Sequence, residues 1–164
     1  MKKLAMITLP LLGGLLIGKY ATANARADYR SYKKPPFSPP GYAFPIVWPA
    51  LYTSMGISHL LVNQVSTPKE KLSNNTLYVS QLSLNYLWSL LYFKYKLRGT
   101  ALIESFILLS TAILTTRSFY KTYPPAGVIL IPYVVWLSYA SYLTSGSYAL
   151  NHNTKNYKKN RGAI

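Results

Sequence analysis

Residues 126–151 decide the fold of this chain, and they read AGVILIPYVVWLSYASYLTSGSYALN, without a charged side chain. A helix needs about 20 apolar residues to cross the hydrocarbon core of a bilayer, which is roughly 30 Å thick. Only helices and closed barrels satisfy their backbone hydrogen bonds there. Because this run is too long and too little alternating for a barrel strand, it predicts a membrane-spanning helix.

Four more apolar runs lie upstream and fill most of the 164-residue chain. They cover residues 4–23, 42–63, 77–97 and 100–120. The sequence therefore predicts an all-α membrane protein, a single domain formed by a bundle of five transmembrane helices. Its connections are expected to be a proline-rich loop at 24–41, a polar loop at 65–76 and a basic tail at 152–164.

The loop at 24–41 ends in KKPPFSPPG, residues 33–41. Proline fixes φ and removes a backbone donor, so these prolines indicate a stiff, extended arm. Such an arm, rooted between two helices, could lie across the mouth of the bundle as a lid. It could equally serve only to stop the preceding helix, and the sequence leaves both interpretations open.

The charged residues cluster at the ends of the apolar runs. Lys and Arg number 18 against 3 acidic residues, for a net charge of +15. In a soluble protein this balance would suggest nucleic-acid binding. At the ends of membrane spans the same cations can reach lipid headgroups, so we expect membrane lipid as a partner and no nucleic acid. The chain has no cysteine, which excludes disulfides, thiol chemistry and iron–sulfur clusters.

The N-terminal segment allows two interpretations. Residues 1–27 imitate a secretory signal peptide, because two lysines precede an apolar run that is followed by Ala25-Arg26-Ala27. However, Lys19 interrupts the apolar pattern, and cleavage would leave four spans, so we expect a retained first helix. Gly14 and Gly18 have the spacing of small residues at helix contacts in membranes.

Polar and aromatic residues recur at helical spacing within four of the runs. The four stripes are Trp48, Tyr52, Met55 and His59; Gln81, Asn85, Trp88 and Tyr92; Glu104, Leu108, Thr111 and Thr115; and Pro132, Trp136, Tyr139 and Leu143. Polar side chains in hydrocarbon belong inside a bundle, so we expect these faces to converge on an aromatic-walled cavity. The alternative is that the stripes are packing seams and interfacial belts.

Three sequence motifs, which follow one another along the five predicted helices, resemble motifs of the translocator protein family. This family is also called the tryptophan-rich sensory proteins or peripheral benzodiazepine receptors. The first motif joins KPPFSPP at 34–40 to FPIVWPALY at 44–52. The second is QLSLNYLW at 81–88, and the third is PYVVW at 132–136. The resemblance covers about residues 26–151.

The resemblance implies a receptor or carrier for flat hydrophobic ligands, which bind in a pocket beneath the first loop. These ligands are porphyrins, haem and related tetrapyrroles and, in some members, sterols and drugs. No cofactor is required, and porphyrin or haem would be a ligand. Carried over by position, the pocket residues are Trp48, Asn85, Trp88, Phe119 and Ala126, and Trp136 is expected at the pocket wall.

The resemblance also bears on partners and location. The expected partners are a tetrapyrrole or lipid ligand and membrane lipid, with a homodimer as one option for the assembly. Eukaryotic members of the family sit mainly in the mitochondrial outer membrane, which is the expected location here. The endoplasmic reticulum and a bacterial membrane are the alternatives.

Two departures from the family pattern concern ligand recognition. Asp28 stands where members commonly carry a Trp, just before Tyr29, so a charge replaces a stacking plane. A sterol-recognition pattern of the animal members is absent near the end of the last run, where the aligned residues are Leu143, Thr144, Ser145 and Ala149.

Two other function classes remain open. Some bacterial relatives are linked to light-dependent porphyrin breakdown, so a tetrapyrrole-degrading enzyme is the first alternative, and a structural membrane adaptor is the second. The only imidazoles are His59 and His152, without metal-ligand spacing or a nucleophile and base set. We therefore expect no catalytic and no metal-binding residues, and we expect His59 to be a buried, hydrogen-bonded residue.

Glu104 is the only acid inside an apolar run, and it occupies the site of a family acid. An intramembrane carboxylate is costly unless it is paired or solvated. We expect it to pair with Arg98 or Lys96 and to order the turn between the third and fourth runs, without touching ligand.

The distribution of cations predicts the orientation of the protein. Six lie on one side of the predicted bundle: Lys2, Lys3, Lys69, Lys71, Arg117 and Lys121. Twelve lie on the other: Lys19, Arg26, Arg30, Lys33, Lys34, Lys94, Lys96, Arg98, Lys155, Lys158, Lys159 and Arg161. The richer side should face the cytosol, which places the loop at 24–41 and the tail there and the N-terminus across the membrane.

Protease treatment of intact organelles should therefore remove a C-terminal tag and spare an N-terminal tag. The reverse pattern would show that the orientation is wrong. Asn74-Asn75-Thr76 is a glycosylation sequon on the non-cytosolic side, so a glycan on Asn74 would indicate the secretory pathway.

Overall fold

The computed structural model describes residues 2–22 and 25–153, and every regular element in these residues is a helix. The elements are α1 Lys2–Ala21, α2 Ala25–Ser31, α3 Phe44–Val65, α4 Pro68–Ser89, a π-helical turn Leu90–Lys94, α5 Arg98–Thr122 and α6 Pro124–Asn151. This confirms the all-α prediction. Most of the predicted basic tail at 152–164, the first residue of the loop predicted at 24–41 and the last residue of the run at 4–23 lie outside the described residues.

Three of the five long helices in the described ranges have the length and hydropathy of a membrane span. These are α1 over Lys3–Ala21, α5 and α6. Helices α3 and α4 are 22 residues long each, but they are not among the three. Length and composition thus support spanning for three of the five predicted spans.

Helix α4 begins well before the apolar run that predicted it. The Thr67 hydroxyl accepts a hydrogen bond from the backbone N–H of Glu70, and the Glu70 carboxylate accepts from the backbone N–H and the hydroxyl of Thr67. This is a capping box, and Pro68 occupies the first helical position, where its missing N–H costs nothing. The expectation of a polar loop over 65–76 was therefore wrong for most of its length.

The third apolar run ends in a tight turn rather than in a continuous α-helix. After the π-helical turn, Lys96 adopts φ 53, a left-handed conformation that is uncommon for a residue other than glycine. The backbone N–H groups of Tyr95 and Leu97 donate to Leu90 and Leu91 across this turn. As a result, α5 starts at Arg98, directly beside the segment that joins α1 to α3.

One end of the bundle, here called the lid end, carries several of the predicted cytosolic cations that lie in the described residues. The ammonium of Lys94 lies 4.1 Å from the centre of the Tyr20 ring at the end of α1. The backbone of Lys33 is hydrogen-bonded to the Asn151 side chain at the end of α6. The loop after α1, the turn before α5 and the end of α6 therefore meet at one end, as the orientation argument requires.

The sequon lies at the opposite end and is not accessible. Asn74 is 1% exposed, and its side-chain nitrogen donates to the hydroxyls of Ser66 and Thr122. The folded protein does not present this amide for glycosylation. The lack of a glycan on Asn74 would therefore say nothing about the compartment.

Helix α1 packs closely on α3 because a glycine, which has no side chain, lies at each of two close approaches. A Cβ atom on Gly56 would lie 2.7 Å from the Cα of Ile7, and one on Gly14 would lie 2.2 Å from the Tyr52 ring. A Cβ on Gly18 would meet no atom within 4 Å. Of the two small residues that the sequence pairs, only Gly14 is at the helix contact.

We expect Gly56→Ala to lower the thermal unfolding temperature, because the new methyl group has to displace the backbone of α1. Overpacking of this kind typically costs about 1 to 3 kcal/mol. Gly18→Ala is the matched control, and it should be neutral or stabilising by roughly 0.5 to 1 kcal/mol, since alanine is a better helix former. Thermal unfolding of both variants in detergent tests this, and equal unfolding temperatures would show that α1 does not pack on α3 at Gly56.

Candidate functional site

Trp48 of α3 and Trp88 of α4 face one small cavity at the lid end. Its remaining lining residues are Ser105, Leu108, Leu137, Ala140 and Ser141, from α5 and α6. The space open to the centre of a water molecule is about 10 Å³, which is room for roughly one water. Small-molecule pockets are typically about 300 to 1,000 Å³. The structure thus brings the two indoles to one cavity, but this cavity is too small for a tetrapyrrole.

Aromatic rings form a continuous wall from this cavity toward the loop between α2 and α3. Trp48 stacks on Tyr52 with ring centres 5.6 Å apart, and its other neighbour is the edge of Trp136 at 6.4 Å. Trp136 in turn meets Phe44 at 6.0 Å, and Phe44 meets Tyr29 of α2 at 5.6 Å. Trp136 therefore lies beside Trp48 in the wall rather than on the cavity itself.

Two indole N–H groups in this region are buried without an acceptor. The Nε1 atoms of Trp88 and Trp136 have no hydrogen-bond partner within the described part of the chain. Buried indole N–H groups usually find one. This pair of orphan donors marks the region as a place where a bound molecule could supply acceptors.

Asn85 is occupied by a hydrogen-bond network inside the bundle. Its side-chain oxygen accepts from the Tyr52 hydroxyl at 2.6 Å, and its nitrogen donates to the Tyr133 hydroxyl at 3.3 Å. The Tyr133 hydroxyl donates to the Gln81 side-chain oxygen at 2.7 Å. Asn85 is 1% exposed and lies one helical turn before Trp88, so in this state its amide joins α3, α4 and α6 instead of facing the cavity.

Phe119 and Ala126 lie at the opposite end of the bundle from the cavity. Phe119 stacks with Tyr78 and His59 at ring-centre distances of 6.2 and 6.4 Å. The carbonyl of Ala126 accepts the Ser58 hydroxyl at 2.6 Å. Since Phe119 follows Leu108 by three turns of α5, roughly 16 Å, the structure does not bring these two residues to the indoles.

His59 is enclosed by its neighbours at this opposite end. Its ring stacks on Tyr78 with centres 3.9 Å apart, and its Nε2 atom lies 2.8 Å from the Asn75 side-chain oxygen. The expected hydrogen bond of His59 is present, but the residue is half-buried rather than fully buried.

The proline-rich arm lies along the C-terminal half of α6. Its carbonyls accept hydrogen bonds from tyrosines of that helix, Phe37 from Tyr139 and Pro36 from Tyr142. Gly146 makes room for Pro35, because a Cβ there would lie 2.5 Å from the proline ring. Tyr139 also packs against Trp136 at 5.7 Å, so the arm covers the end of the aromatic wall, as a lid would. We call residues 25–41, which comprise α2 and this arm, the lid.

An ion-pair cluster fixes the start of the lid. The carboxylate of Asp28 lies 3.2 Å from the Lys96 ammonium and 3.5 Å from the Arg98 guanidinium. The same guanidinium nitrogen of Arg98 donates to the Tyr32 hydroxyl at 2.7 Å. The residue that stands in place of the family Trp thus binds the lid to the turn between α4 and α5.

Glu104 is not the acid that meets these cations. Its two carboxylate oxygens have no hydrogen-bond partner among the residues that the structure describes, although the residue is only 6% exposed. The expected pairing with Arg98 or Lys96 was therefore wrong, and Asp28 takes that place. The chain has only 3 acids, so the sequence offered two candidates here and charge alone could not choose between them.

Sequence reasoning missed four lining residues on the last two helices. Ser105, Leu137, Ala140 and Ser141 line the cavity, while the predicted stripes on these helices ran through neighbouring positions and shared only Leu108 with it. The stripes were chosen by polarity and ring size. Ala140 carries neither signal, and Ser105 and Ser141 carry only a small hydroxyl, although their spacing with Leu108 and Leu137 is helical.

Comparisons with known proteins agree with these observations. A model of the TspO/MBR family matches residues 6–149. The chain is 34% identical over 137 residues to the translocator protein of Bos taurus, covering 82% of this chain and 81% of the relative. It is 33% identical over 145 residues to the translocator protein homolog of Schizosaccharomyces pombe, covering 87% of each.

A bacterial relative matches over a similar range. The tryptophan-rich sensory protein of Cereibacter sphaeroides is 30% identical over 125 residues, covering 76% of this chain and 77% of the relative. The family match at 6–149 includes most of α1 and every residue that lines the cavity. With its all-helical fold and apolar helices, the chain belongs to the TspO/MBR family of membrane proteins.

Proposed function

We propose that this protein is an integral membrane receptor or carrier that binds flat hydrophobic ligands of the porphyrin and haem class between Trp48 and Trp88. The observation that carries this proposal is the pair of indoles across one cavity beneath the lid. The two indole N–H donors without acceptors support it, because an unpaired buried donor typically costs about 1 to 3 kcal/mol. A tetrapyrrole offers a broad ring for stacking and polar atoms at its edge.

All five long helices span the membrane in this proposal, including α3 and α4. The polar residues of α4 at 81 and 85 are buried and bonded inside the bundle, whereas Val79 and Leu87 of the same helix are exposed. A spanning helix with an inward polar face has a low average hydropathy without presenting polar groups to lipid. This polar face explains why α4 falls short of the hydropathy of a membrane span when its composition alone is considered.

Ligand entry requires the closed cavity to open. The lid is held on α6 by hydrogen bonds and on the α4–α5 turn by ion pairs, so it can leave as a unit without breaking a long helix. Its departure uncovers the aromatic wall at Tyr139 and Trp136. The names of the relatives, translocator and sensory protein, fit a carrier or receptor with such a gate.

The membrane in which the protein resides is part of the proposal. Relatives come from mammals and yeast as well as from bacteria and archaea. We place this chain in the mitochondrial outer membrane, with the endoplasmic reticulum or a bacterial membrane as alternatives. Sterols are a second ligand class, because they are also flat and apolar. They rank below porphyrins because they have no aromatic ring that could stack on an indole.

Trp48→Ala should weaken porphyrin binding by about tenfold to a hundredfold, because a buried aromatic contact is typically worth roughly 1.5 to 3 kcal/mol. Trp48→Phe should lose less, since a smaller ring still stacks. The measurement is the change in porphyrin absorbance on binding, which does not depend on the tryptophans as reporters. Phe106→Ala, on the exposed face of α5, is the aromatic control and should bind normally. Equal affinity in wild type, Trp48→Ala and Trp88→Ala would remove the ligand site from this cavity.

Asn85→Ala should act mainly on stability. It leaves the hydroxyls of Tyr52 and Tyr133 without this partner inside the bundle, at a cost of about 1 to 3 kcal/mol. We expect a lower unfolding temperature in detergent and porphyrin affinity within about threefold of wild type when compared at equal folded fraction. A selective loss of affinity at normal stability would instead assign the amide to the ligand.

A further inference from the structure

At the lid end, the carboxylate of Asp28 pairs with two cations, Lys96 and Arg98. The Asp28 carboxylate accepts from the Lys96 ammonium and from the Arg98 guanidinium. Arg98 is 3% exposed, so its charge lies inside the protein rather than in solvent. Charge-assisted hydrogen bonds of this kind are stronger than neutral ones, and the planar guanidinium suits carboxylates.

This cluster is connected to the proposed ligand site through one aromatic ring. The guanidinium carbon of Arg98 lies 5.6 Å from the centre of the Tyr92 ring, and Tyr92 stacks on Trp88 at 5.0 Å. On its lid side, the same guanidinium lies 4.2 Å from the Tyr32 ring. Arg98 is thus located between the lid and the ring that supports the cavity wall.

The backbone between α4 and α5 has an unusual conformation where it carries Lys96 and leads to Arg98. Helix α4 changes to a π-helical turn over Leu90–Lys94, and Lys96 then takes its left-handed conformation. Such conformations persist only where the surrounding structure enforces them, and they concentrate at functional sites and ligand clamps. Here they point the Lys96 ammonium at Asp28.

We propose that Lys96 and Arg98 form a carboxylate-binding subsite of the ligand pocket, and that Asp28 occupies it as an internal substitute until a ligand carboxylate displaces it. This inference rests on the proposed function and narrows its ligand class to flat aromatic molecules that carry a carboxylate at the edge. The exchange replaces one carboxylate by another, so the buried guanidinium keeps an anionic partner in both states. Releasing Asp28 frees α2 and with it the start of the lid.

The exchange also explains why the subsite would prefer ligands with a free carboxylate over neutral ligands. A neutral ligand that displaced Asp28 would remove a charged partner from the buried Arg98 guanidinium and put no anion in its place, which is unfavourable. A carboxylate ligand avoids this loss. The subsite therefore distinguishes acidic from esterified forms of the same ring system.

The test compares two probes on purified protein in neutral detergent: protoporphyrin IX, which has two free carboxylates, and its dimethyl ester. The readout is the ratio of their affinities, because a role of Asp28 in lid closure alone would change both affinities alike and leave the ratio unchanged. Asp28→Asn should raise the preference for the free acid by about three- to tenfold. Lys96→Gln should lower this preference by about the same factor.

Lys94→Gln is the matched control. Lys94 belongs to the same turn, but its ammonium lies over Tyr20 and not beside Asp28, so its removal should leave the ratio within about twofold of wild type. Raising the salt concentration should weaken binding of the free acid more than that of the ester. Ester binding in each preparation also reports whether the variant is folded. If Asp28→Asn does not fold, Lys96→Gln carries the test, since its side chain is 27% exposed.

The outcomes separate the subsite from the proposed function. If both probes bind the wild type and neither Asp28→Asn nor Lys96→Gln changes the ratio, the subsite is overturned and the ligand pocket stands. If Lys94→Gln lowers the ratio as much as Lys96→Gln does, general surface charge replaces the subsite as the explanation. If neither probe binds the wild type, the proposed function fails, and the inference fails with it.

Discussion

The rest of this structure depends on one constraint: polar groups buried inside the helix bundle must find hydrogen-bond partners within it. Asn85 meets it by linking Tyr52 of α3 and Tyr133 of α6, and Tyr133 extends the link to Gln81. These groups are buried away from solvent, so their mutual bonds fix which faces of α3, α4 and α6 meet. The cavity one turn above, between Trp48 and Trp88, is located by this network.

The two ends of the bundle are built differently. At the end away from the lid, His59 stacks on Tyr78 and is hydrogen-bonded to Asn75, and the Asn74 side chain is buried. At the lid end, the protein keeps indole donors without acceptors and a carboxylate held by two cations. The second end thus contains the groups that a ligand could replace or satisfy, which is why the proposed function is placed there.

Closure of the cavity follows from how the lid is attached. Tyr139 and Tyr142 of α6 donate hydrogen bonds to the backbone carbonyls of Phe37 and Pro36 in the arm. Its other attachment is the ion pair between Asp28 and Arg98, whose side chain is almost fully buried. Removing one partner from a buried pair is strongly unfavourable. In the proposed exchange, this ion pair holds the lid in place until a ligand carboxylate replaces that of Asp28.

The sequence by itself determined the all-α class, the approximate positions of the five long helices and the membership of the TspO/MBR family. It could do so because the length of an apolar run and the order of motifs are local properties of the chain. The start of α4 was predicted wrongly, because the segment was taken as a polar loop although Thr67 and Glu70 have the spacing of a capping box. The juxtaposition of Trp48 and Trp88 followed from helical spacing and from the family motifs together.

Only the tertiary structure decided which partners these residues have. Periodicity assigns a residue to a face of a helix, but it does not say which helix that face meets or at what depth. Asp28 pairs with Arg98 across 70 positions of sequence, the Asn85 amide is bonded inside the bundle, and Phe119 lies at the end away from the cavity. Each of these arrangements depends on the packing of several helices at once, and no local stretch of sequence contains that information.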